Sequence, residues 1–443
     1  MRGAPIPSPG GGPAAPSEGS DVARRPLTAG ALCVRHLLAT VGPKSFGLGS
    51  VALHLVREQR ALGIDARVWC LDRPSDVAWA LRTADLAPEA VVAFRPLGPD
   101  FLGYSAALER AVLGTDGQGV HVIHQHGIWT AVSRAANLWR RRFRRPTVIA
   151  PHGSLEAWAI RRSAWKKRLA KVAYETENLR DAACFHATAR PEADGLLRYG
   201  VRRPIAVVPN GLSDAWIGSA GDGSRFRAHY GLPSDARILL YVGRITPVKN
   251  LEMLLGAMAA HRTMLRDWLL VVAGKDEFGY QGKLERLIAQ LDLGRWVRFV
   301  GFVTSELKRD AYAAASVFVL PSLREASPVA VLEALGAGVP VLTTRGTPWE
   351  ELERHRCGWW CPADVESIGR ALRDALSTSP EQLVSSGRRG RELVRSKYTW
   401  SAAAVQCQRL YAWLLGDPER PENLLPPSEQ QRGERPAEST ANG

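Results

Sequence analysis

Two glutamates, Glu325 and Glu333, stand in "LREASPVAVLEALGAGVPV" (323–341), one of the most apolar stretches of the chain. A carboxylate in such surroundings is costly unless something hydrogen-bonds it. Upstream, "YVGRITPVKN" (241–250) carries Arg244 and Lys249 just after Gly243, two cations able to neutralise a diphosphate. Ser327-Pro328 reads as a helix start, with Ser327 as N-cap and Pro328 at the first helical position. The free N–H groups from Ser327 through Val329 to Ala330 then favour an anion such as phosphate. A ribose for Glu333 and a sugar for Glu325 are groups whose hydroxyls satisfy two lone carboxylates. The chemistry implied is the binding of a nucleotide sugar.

These residues need a scaffold that brings a strand end and a helix start to one place. Short apolar runs alternate with stretches of helical length along the chain. Strands are expected at 31–39, 65–72, 119–127, 146–153, 183–189 and 204–211, with a helix over 51–63 ending at Gly63. The pattern restarts with strands at 236–244, 268–274, 297–303, 316–322 and 338–344, and Asn250 opens a helix. This is the signature of two α/β units, each a doubly wound parallel sheet, joined near Pro209-Asn210-Gly211. Ligands in such sheets sit beyond the carboxyl ends of the strands, so two facing domains place the site in an interdomain cleft. The expected division is a disordered tail (1–28), an acceptor-binding domain (29–208) and a nucleotide-sugar-binding domain (209–395). A closing helix (396–416) and a second disordered tail (417–443) follow. Both tails are too polar and proline-rich to offset their ordering entropy.

The residues from Glu325 to Glu333, the Gly243-Arg244…Lys249 loop, "VVPNG" (207–211) and "GFV" (301–303) together resemble glycosyltransferase family 4, retaining enzymes of the GT-B fold. The resemblance spans roughly 30–415. Within it, "HGIW" (126–129), "PHGSLEAWAIRRSAWKKRLA" (151–170), "GTPWEEL" (346–352) and "CGWW" (357–360) are similar to a bacterial branch that builds exopolysaccharide and lipopolysaccharide. The family's usual glycine after the first glutamate is Ala326 here. The resemblance implies that Arg244 and Lys249 hold the departing diphosphate, Glu333 the ribose and Glu325 the transferred sugar. It also implies that His152 is the cleft histidine near that sugar, with His126 and Trp129 beside it, and that Gly47 in "GPKSFGLGS" (42–50) approaches the phosphates. The helix "SKYTWSAAAVQCQRLYAWLL" (396–415) is expected to cross back to the first domain. No metal and no other cofactor are called for: the chain has no Asp-x-Asp motif, and the cations and helix terminus supply the positive field. The implied activity is hexose transfer with retention from a UDP- or GDP-linked sugar to a saccharide acceptor, lipid-linked by expectation.

Several of these residues also admit plainer roles. Glu333 can be a purely structural carboxylate, and His124 and His126, alternating along one strand, face the same side, so one can be merely structural. "FGLGSV" lacks the third glycine and the acidic residue of a dinucleotide fingerprint. Cys357 and Cys361 have no second pair or nearby histidine for zinc, and the six scattered cysteines suit a reducing compartment.

The net charge is +14, and residues 134–180 hold thirteen Lys and Arg against three Glu. That field points to an acidic partner. In 155–172, Leu155, Trp158, Trp165, Leu169 and Val172 fall on one helical face and Arg161, Arg162, Lys166, Lys167, Arg168 and Lys171 fill much of the rest. Such a helix either packs its tryptophans inward or docks on an anionic membrane. Lacking an apolar leader or a span-length run, the protein is expected in the cytoplasm, peripheral on the inner face of the membrane. Two rivals remain. A catalytically silent partner subunit is disfavoured by Arg244, Lys249, Glu325 and Glu333 all being present. Nucleic-acid binding explains the charge and not the glutamates, and no such partner is expected.

Overall fold

The computed structural model describes residues 32–45 and 47–426; the tail at 1–28 lies outside them, as does the end of the second tail. Seven parallel strands form the first sheet: β1 (Cys33–Leu37), β2 (Asp65–Cys70), β3 (Val91–Ala93), β4 (Val122–His126), β5 (Thr147–Ala150), β6 (Cys184–Ala187) and β7 (Ile205–Val207). Their order is β3-β2-β1-β4-β5-β6-β7. Six more form the second: β8 (Arg237–Val242), β9 (Trp268–Ala273), β10 (Val297–Gly301), β11 (Val317–Leu320), β12 (Val341–Thr344) and β13 (Gly358–Cys361). Their order is β10-β9-β8-β11-β12-β13, again parallel throughout.

Both sheets have helices on each face, so their central strands are apolar throughout, not alternating. The run Trp268–Ala273, buried at every position, shows the pattern. The strands the sequence did not reveal, β3 and β13, lie at sheet edges; β3 has three residues and β13 is nowhere fully buried.

The second domain has one large core around Leu239, Leu255, Val271, Phe318 and Leu342. The first domain's core on one face of β1 recruits Trp400, Ala403, Cys407, Leu410 and Tyr411 from the last helix, Trp400–Leu414. That helix packs on the helix Leu48–Ala61 of the first domain. It is separate from the preceding helix, Pro380–Lys397: the chain breaks at Tyr398 and Thr399, whose hydroxyl caps Ala402.

The expectation of a disordered tail from residue 417 is corrected for its first ten residues. Val207 N donates to Asn423 O (2.8 Å), Leu425 N donates to Ile205 O (2.9 Å), and Leu424 and Leu425 are buried. Two leucines in an otherwise polar segment close the open edge of β7, which would otherwise present unpaired backbone groups.

Residues 155–172 do not form one helix. Short helices at Ala157–Arg161 and Ala164–Ala170 are separated by Ser163 in a left-handed conformation (φ 54°), and a π-turn follows at Lys171–Glu175. Leu155 is buried, whereas Trp165, Leu169 and Val172 are 64, 62 and 89% exposed. The side chain of Trp158 lies outside the described set.

Candidate active site

The site residues on the second domain collect at the carboxyl ends of its two central strands. After β8 the chain turns tightly against β9: a Cβ at Gly274 would sit 1.7 Å from Gly243 O. Tyr241 OH donates to Arg244 O (2.6 Å) and shapes the loop. Burial, with Glu325 nearby, raises this tyrosine above its usual range, so it stays a donor. Lys249 ends a 3₁₀ turn, Pro247–Lys249, and Asn250 (φ 59°) donates its side-chain amide to Pro321 O (3.0 Å) beyond β11. Leu323 N bonds Val248 O and Glu325 N bonds Gly346 O (2.9 and 2.8 Å), so the loops after β8, β11 and β12 are knitted together. Only glycine fits at 346, where a Cβ would lie 2.4 Å from Leu323 O.

Each glutamate meets a lysine. Glu325 pairs with Lys249 and accepts from Ser322 Oγ (3.0 Å). Glu333, on the helix Val329–Gly336, accepts from Lys308 Nζ (2.5 Å) and from Tyr312 OH (3.0 Å). Lys308 and Tyr312 lie on the helix Ser305–Ala314, before β11. Sequence reasoning missed both, since nothing in a lysine among polar helix residues announces a partner 25 positions on. Arg244 lies outside this knot: 64% exposed, it reaches Glu277 (3.1 Å).

The helix start is corrected by one residue. Pro328, with ψ 103°, is the N-cap itself, so the helix begins at Val329 and Ser327 caps nothing. Ser327 Oγ is instead approached by Asn210 Nδ2 at 3.5 Å, from the interdomain segment. The amino-terminal N–H groups have no side-chain cap, and Val329 is exposed beside them.

On the first domain, His126 ends β4 and His152 follows β5, in a left-handed conformation (φ 50°). Such strain persists only when surroundings hold it. Two buried acids do so. Glu192 accepts from Gly153 N (2.7 Å) and from Thr188 N and Oγ (2.8 Å each). Glu175 accepts from Trp129 N and Ser133 Oγ (2.8 Å each) and from Asn178 Nδ2 (2.7 Å). Trp129, itself at φ 75°, also donates Nε1 to Ser154 O (3.0 Å), so its ring fastens one loop to the next. Across the cleft, Arg324 comes within 3.8 Å of Glu156. Gly47 (φ 92°) is exposed at the start of the helix Leu48–Ala61, open for close approach; its neighbour Phe46 lies outside the described residues.

Behind His126 and His152 the interior holds three more histidines. His36, His124 and His126 bring one ring nitrogen each within 4.8 Å of one another, a spacing a metal ion could use. The residues fit a metal poorly, because those nitrogens already hydrogen-bond to one another, to Gln59 and to Tyr411.

Two facing Rossmann-like sheets with polar loops at their carboxyl ends define a GT-B architecture. Two family models match adjoining parts of the chain: "Glycosyl transferase 4-like domain" over 46–211 and "Glycosyl transferases group 1" over 223–392. The chain belongs to these group 1 glycosyltransferases of family 4. A D-inositol 3-phosphate glycosyltransferase of Streptomyces avermitilis is 29% identical over 428 residues, with 90% of each chain covered. Among solved structures, HepE of Anabaena in complex with UDP and glucose superposes with a TM-score of 0.66 at 18% identity, covering 86% of this chain and all of that one. WaaG, a glycosyltransferase involved in lipopolysaccharide biosynthesis, superposes with a TM-score of 0.59 at 17% identity, covering 87% of this chain and 100% of WaaG. The protein is therefore a retaining glycosyltransferase that uses a nucleoside-diphosphate sugar.

Proposed function

We propose that the chain transfers a hexose from a UDP-linked sugar to a saccharide acceptor carried on lipid, as a step in bacterial exopolysaccharide or lipopolysaccharide assembly. The observation that carries the donor half is the pairing of Lys249 with Glu325 and of Lys308 with Glu333 beside an uncapped helix start. A diphosphate arriving at Val329 draws Lys249 and the exposed Arg244 to itself. Glu325 is then released to accept from sugar hydroxyls. Glu333, kept in place by Lys308 and Tyr312, accepts from the ribose. The exposed Phe302 and Phe278, beyond β10 and β9, offer apolar surface for the base. Cationic groups at the leaving phosphate stabilise the charge that develops as the glycosidic bond breaks. The acceptor hydroxyl attacks from the face the diphosphate leaves, and a phosphate oxygen takes its proton. His152 stands at the transferred sugar, with His126 and Trp129 behind it.

A second reading is favoured by the relatives that match over nearly their whole length: their name assigns an inositol 3-phosphate acceptor. The basic first domain suits a phosphorylated polyol as well as a lipid diphosphate.

The test is thermal unfolding with UDP, GDP or ADP, beside Glu333→Ala, Lys249→Ala and Lys308→Met. A ligand at ~100 times its Kd adds about 2.7 kcal/mol to the native state. The expected result is a rise in Tm of a few degrees with UDP, weakened in all three variants. Turnover of UDP-glucose with inositol 3-phosphate or with a lipid-linked saccharide then separates the acceptors. No shift with any nucleotide would put the silent-partner reading first.

A further inference from the structure

Five histidines, a glutamine and a tyrosine form one unbroken hydrogen-bonded file through the first domain. It starts where His186 Nε2 meets Val208 O (2.8 Å), beside the interdomain segment. His186 Nδ1 meets His124 Nε2 (3.2 Å), and His124 Nδ1 meets Tyr411 OH (2.7 Å). Gln59 Nε2 donates to the same Tyr411 oxygen (3.2 Å), while Gln59 Oε1 faces His36 Nε2 (2.8 Å). His36 Nδ1 meets His126 Nε2 (2.8 Å), and His126 Nδ1 meets His152 Nε2 (3.1 Å). Strands β1, β4 and β6, the loop after β5, the helix Leu48–Ala61 and the crossover helix Trp400–Leu414 each contribute.

A neutral imidazole has one N–H and one lone pair, so such a file permits only one arrangement of protons. The Val208 carbonyl can only accept, which places the His186 proton on Nε2 and leaves its Nδ1 as acceptor. His124 must then donate from Nε2 and accept at Nδ1, from the Tyr411 hydroxyl. Tyr411 oxygen accepts from the Gln59 amide, Gln59 oxygen accepts from His36 Nε2, and His126 and His152 likewise each carry the proton on Nε2. Turning Gln59 over would reverse every link and set two acceptors against each other at Val208. Burial keeps the rings uncharged, with His36 and His152 lowered to about 4 and the other three also below the usual value. Cys407, the other polar group against Tyr411, has its thiol held protonated by burial. Of the ten ring nitrogens in this file, the one with no protein partner among the described residues is His152 Nδ1, in the half-exposed loop whose Glu156 reaches Arg324 across the cleft.

We propose that Gln59 and Tyr411, acting through His36 and His126, are positioning residues that hold His152 with its proton on Nε2 and a bare Nδ1 toward the cleft, so that it meets the transferred sugar as a hydrogen-bond acceptor. This rests on the reading of His152 as a sugar contact. It makes a sugar hydroxyl, not a ring or glycosidic oxygen, the group this histidine selects, and it links the crossover helix to that choice.

The test is long-range proton–nitrogen correlation NMR of the full-length protein labelled at histidine, with His152 assigned from the signals lost in His152→Gln. The expected wild-type spectrum has His152 as a single tautomer, protonated at Nε2. Tyr411→Phe removes the hydroxyl alone; Gln59 is then free to turn, and His36, His126 and His152 become mixtures of tautomers. Donor KM then rises in inverse proportion to the fraction of His152 that keeps its proton on Nε2, about twofold for an even mixture, with kcat less affected. A proton on His152 Nδ1, a charged His152, bound metal in the purified protein, or a single His152 tautomer in Tyr411→Phe would overturn the proposal. A shifted tautomer with unchanged donor KM overturns the role at the sugar, and the nucleotide-induced Tm shift is independent of that outcome.

Discussion

Glu175 has no exposed surface, and burial raises its pKa above the usual 4.5, against the pull of Asn178, Trp129 and Ser133. A carboxyl whose folded pKa lies above its unfolded one is best tolerated as the neutral acid. Its favourable contribution is present below pH 4.5 and is lost as pH rises through the folded value. At neutral pH the charged form is therefore a cost that Glu175→Gln removes. The variant can also turn its amide nitrogen toward Asn178 Oδ1, which has no partner in the native side chain's arrangement. The expected outcome in urea unfolding is a Glu175→Gln midpoint at or above wild type at pH 7.5, with the advantage disappearing toward pH 4.5. Glu175→Leu instead strands the Trp129 N–H and the Ser133 hydroxyl, at about 1–3 kcal/mol each. A Gln variant as damaged as the Leu variant would mean that the charge itself is needed. Sequence reading singled out Glu325 and Glu333 because a carboxylate in an apolar run is conspicuous, and Arg244 and Lys249 because their loop follows a strand end. It did not reach Glu175, Glu192 or Lys308, because each acquires its role from partners distant along the chain and looks like ordinary helix surface.

At the scale of the element, the stretch after His152 shows why composition was a better guide than periodicity. The spacing of Trp165, Leu169 and Val172 suggested an apolar stripe on one long helix, and the stripe exists, but on a broken segment and facing outward. Clustered cations repel along a continuous helix, and Ser163 breaks it. Exposed apolar side chains beside exposed Arg161, Arg168 and Lys171 fit an anionic lipid surface, where apolar insertion and charge attraction add. No helix among the described residues is long and apolar enough to cross a membrane, so any membrane contact through a helix is at the surface. Each basic residue near such a surface contributes about 1 kcal/mol. Arg168→Gln with Lys171→Gln should therefore weaken sedimentation with phosphatidylglycerol vesicles about thirtyfold, and high salt should weaken wild type too. Trp165→Ser should lower the affinity that persists at high salt. Binding to neutral vesicles as tight as to anionic ones would remove the segment from the argument.

For the whole molecule, the links between domains matter more than the domains. The sheets were legible because apolar runs of strand length separated by helical stretches admit little else. Which segments meet at the junction was not, since that depends on backbone approach and not on pattern. Both crossings occur at one point: Leu212 N donates to Tyr398 O (2.8 Å) and Trp400 N to Leu212 O (3.4 Å), a parallel bridge between the interdomain segment and the start of the crossover helix. Gly211 makes that approach possible, since a Cβ there would lie 2.2 Å from Trp400 N, a backbone atom with nowhere to yield. Trp400 in turn stacks on His54 of the first domain (centroids 5.1 Å apart), so prising the bridge apart disturbs both cores. Overpacking of this kind costs about 1–3 kcal/mol, which in large domains lowers Tm by about 2–4 °C per kcal/mol. Gly211→Ala is thus expected to melt about 2–12 °C below wild type, whereas Gly218→Ala, where an added Cβ meets nothing within 4 Å, should melt with wild type. If the bridge also fixes the angle at which the two sheets face, Gly211→Ala raises donor KM at temperatures well below its melting point, because Glu325 and His152, the two sugar contacts proposed above, are carried by opposite domains. Equal melting of the two alanine variants would show that the crossing has slack, and the cleft geometry would then have to be set by the contacts across it, Asn210 with Ser327 and Glu156 with Arg324.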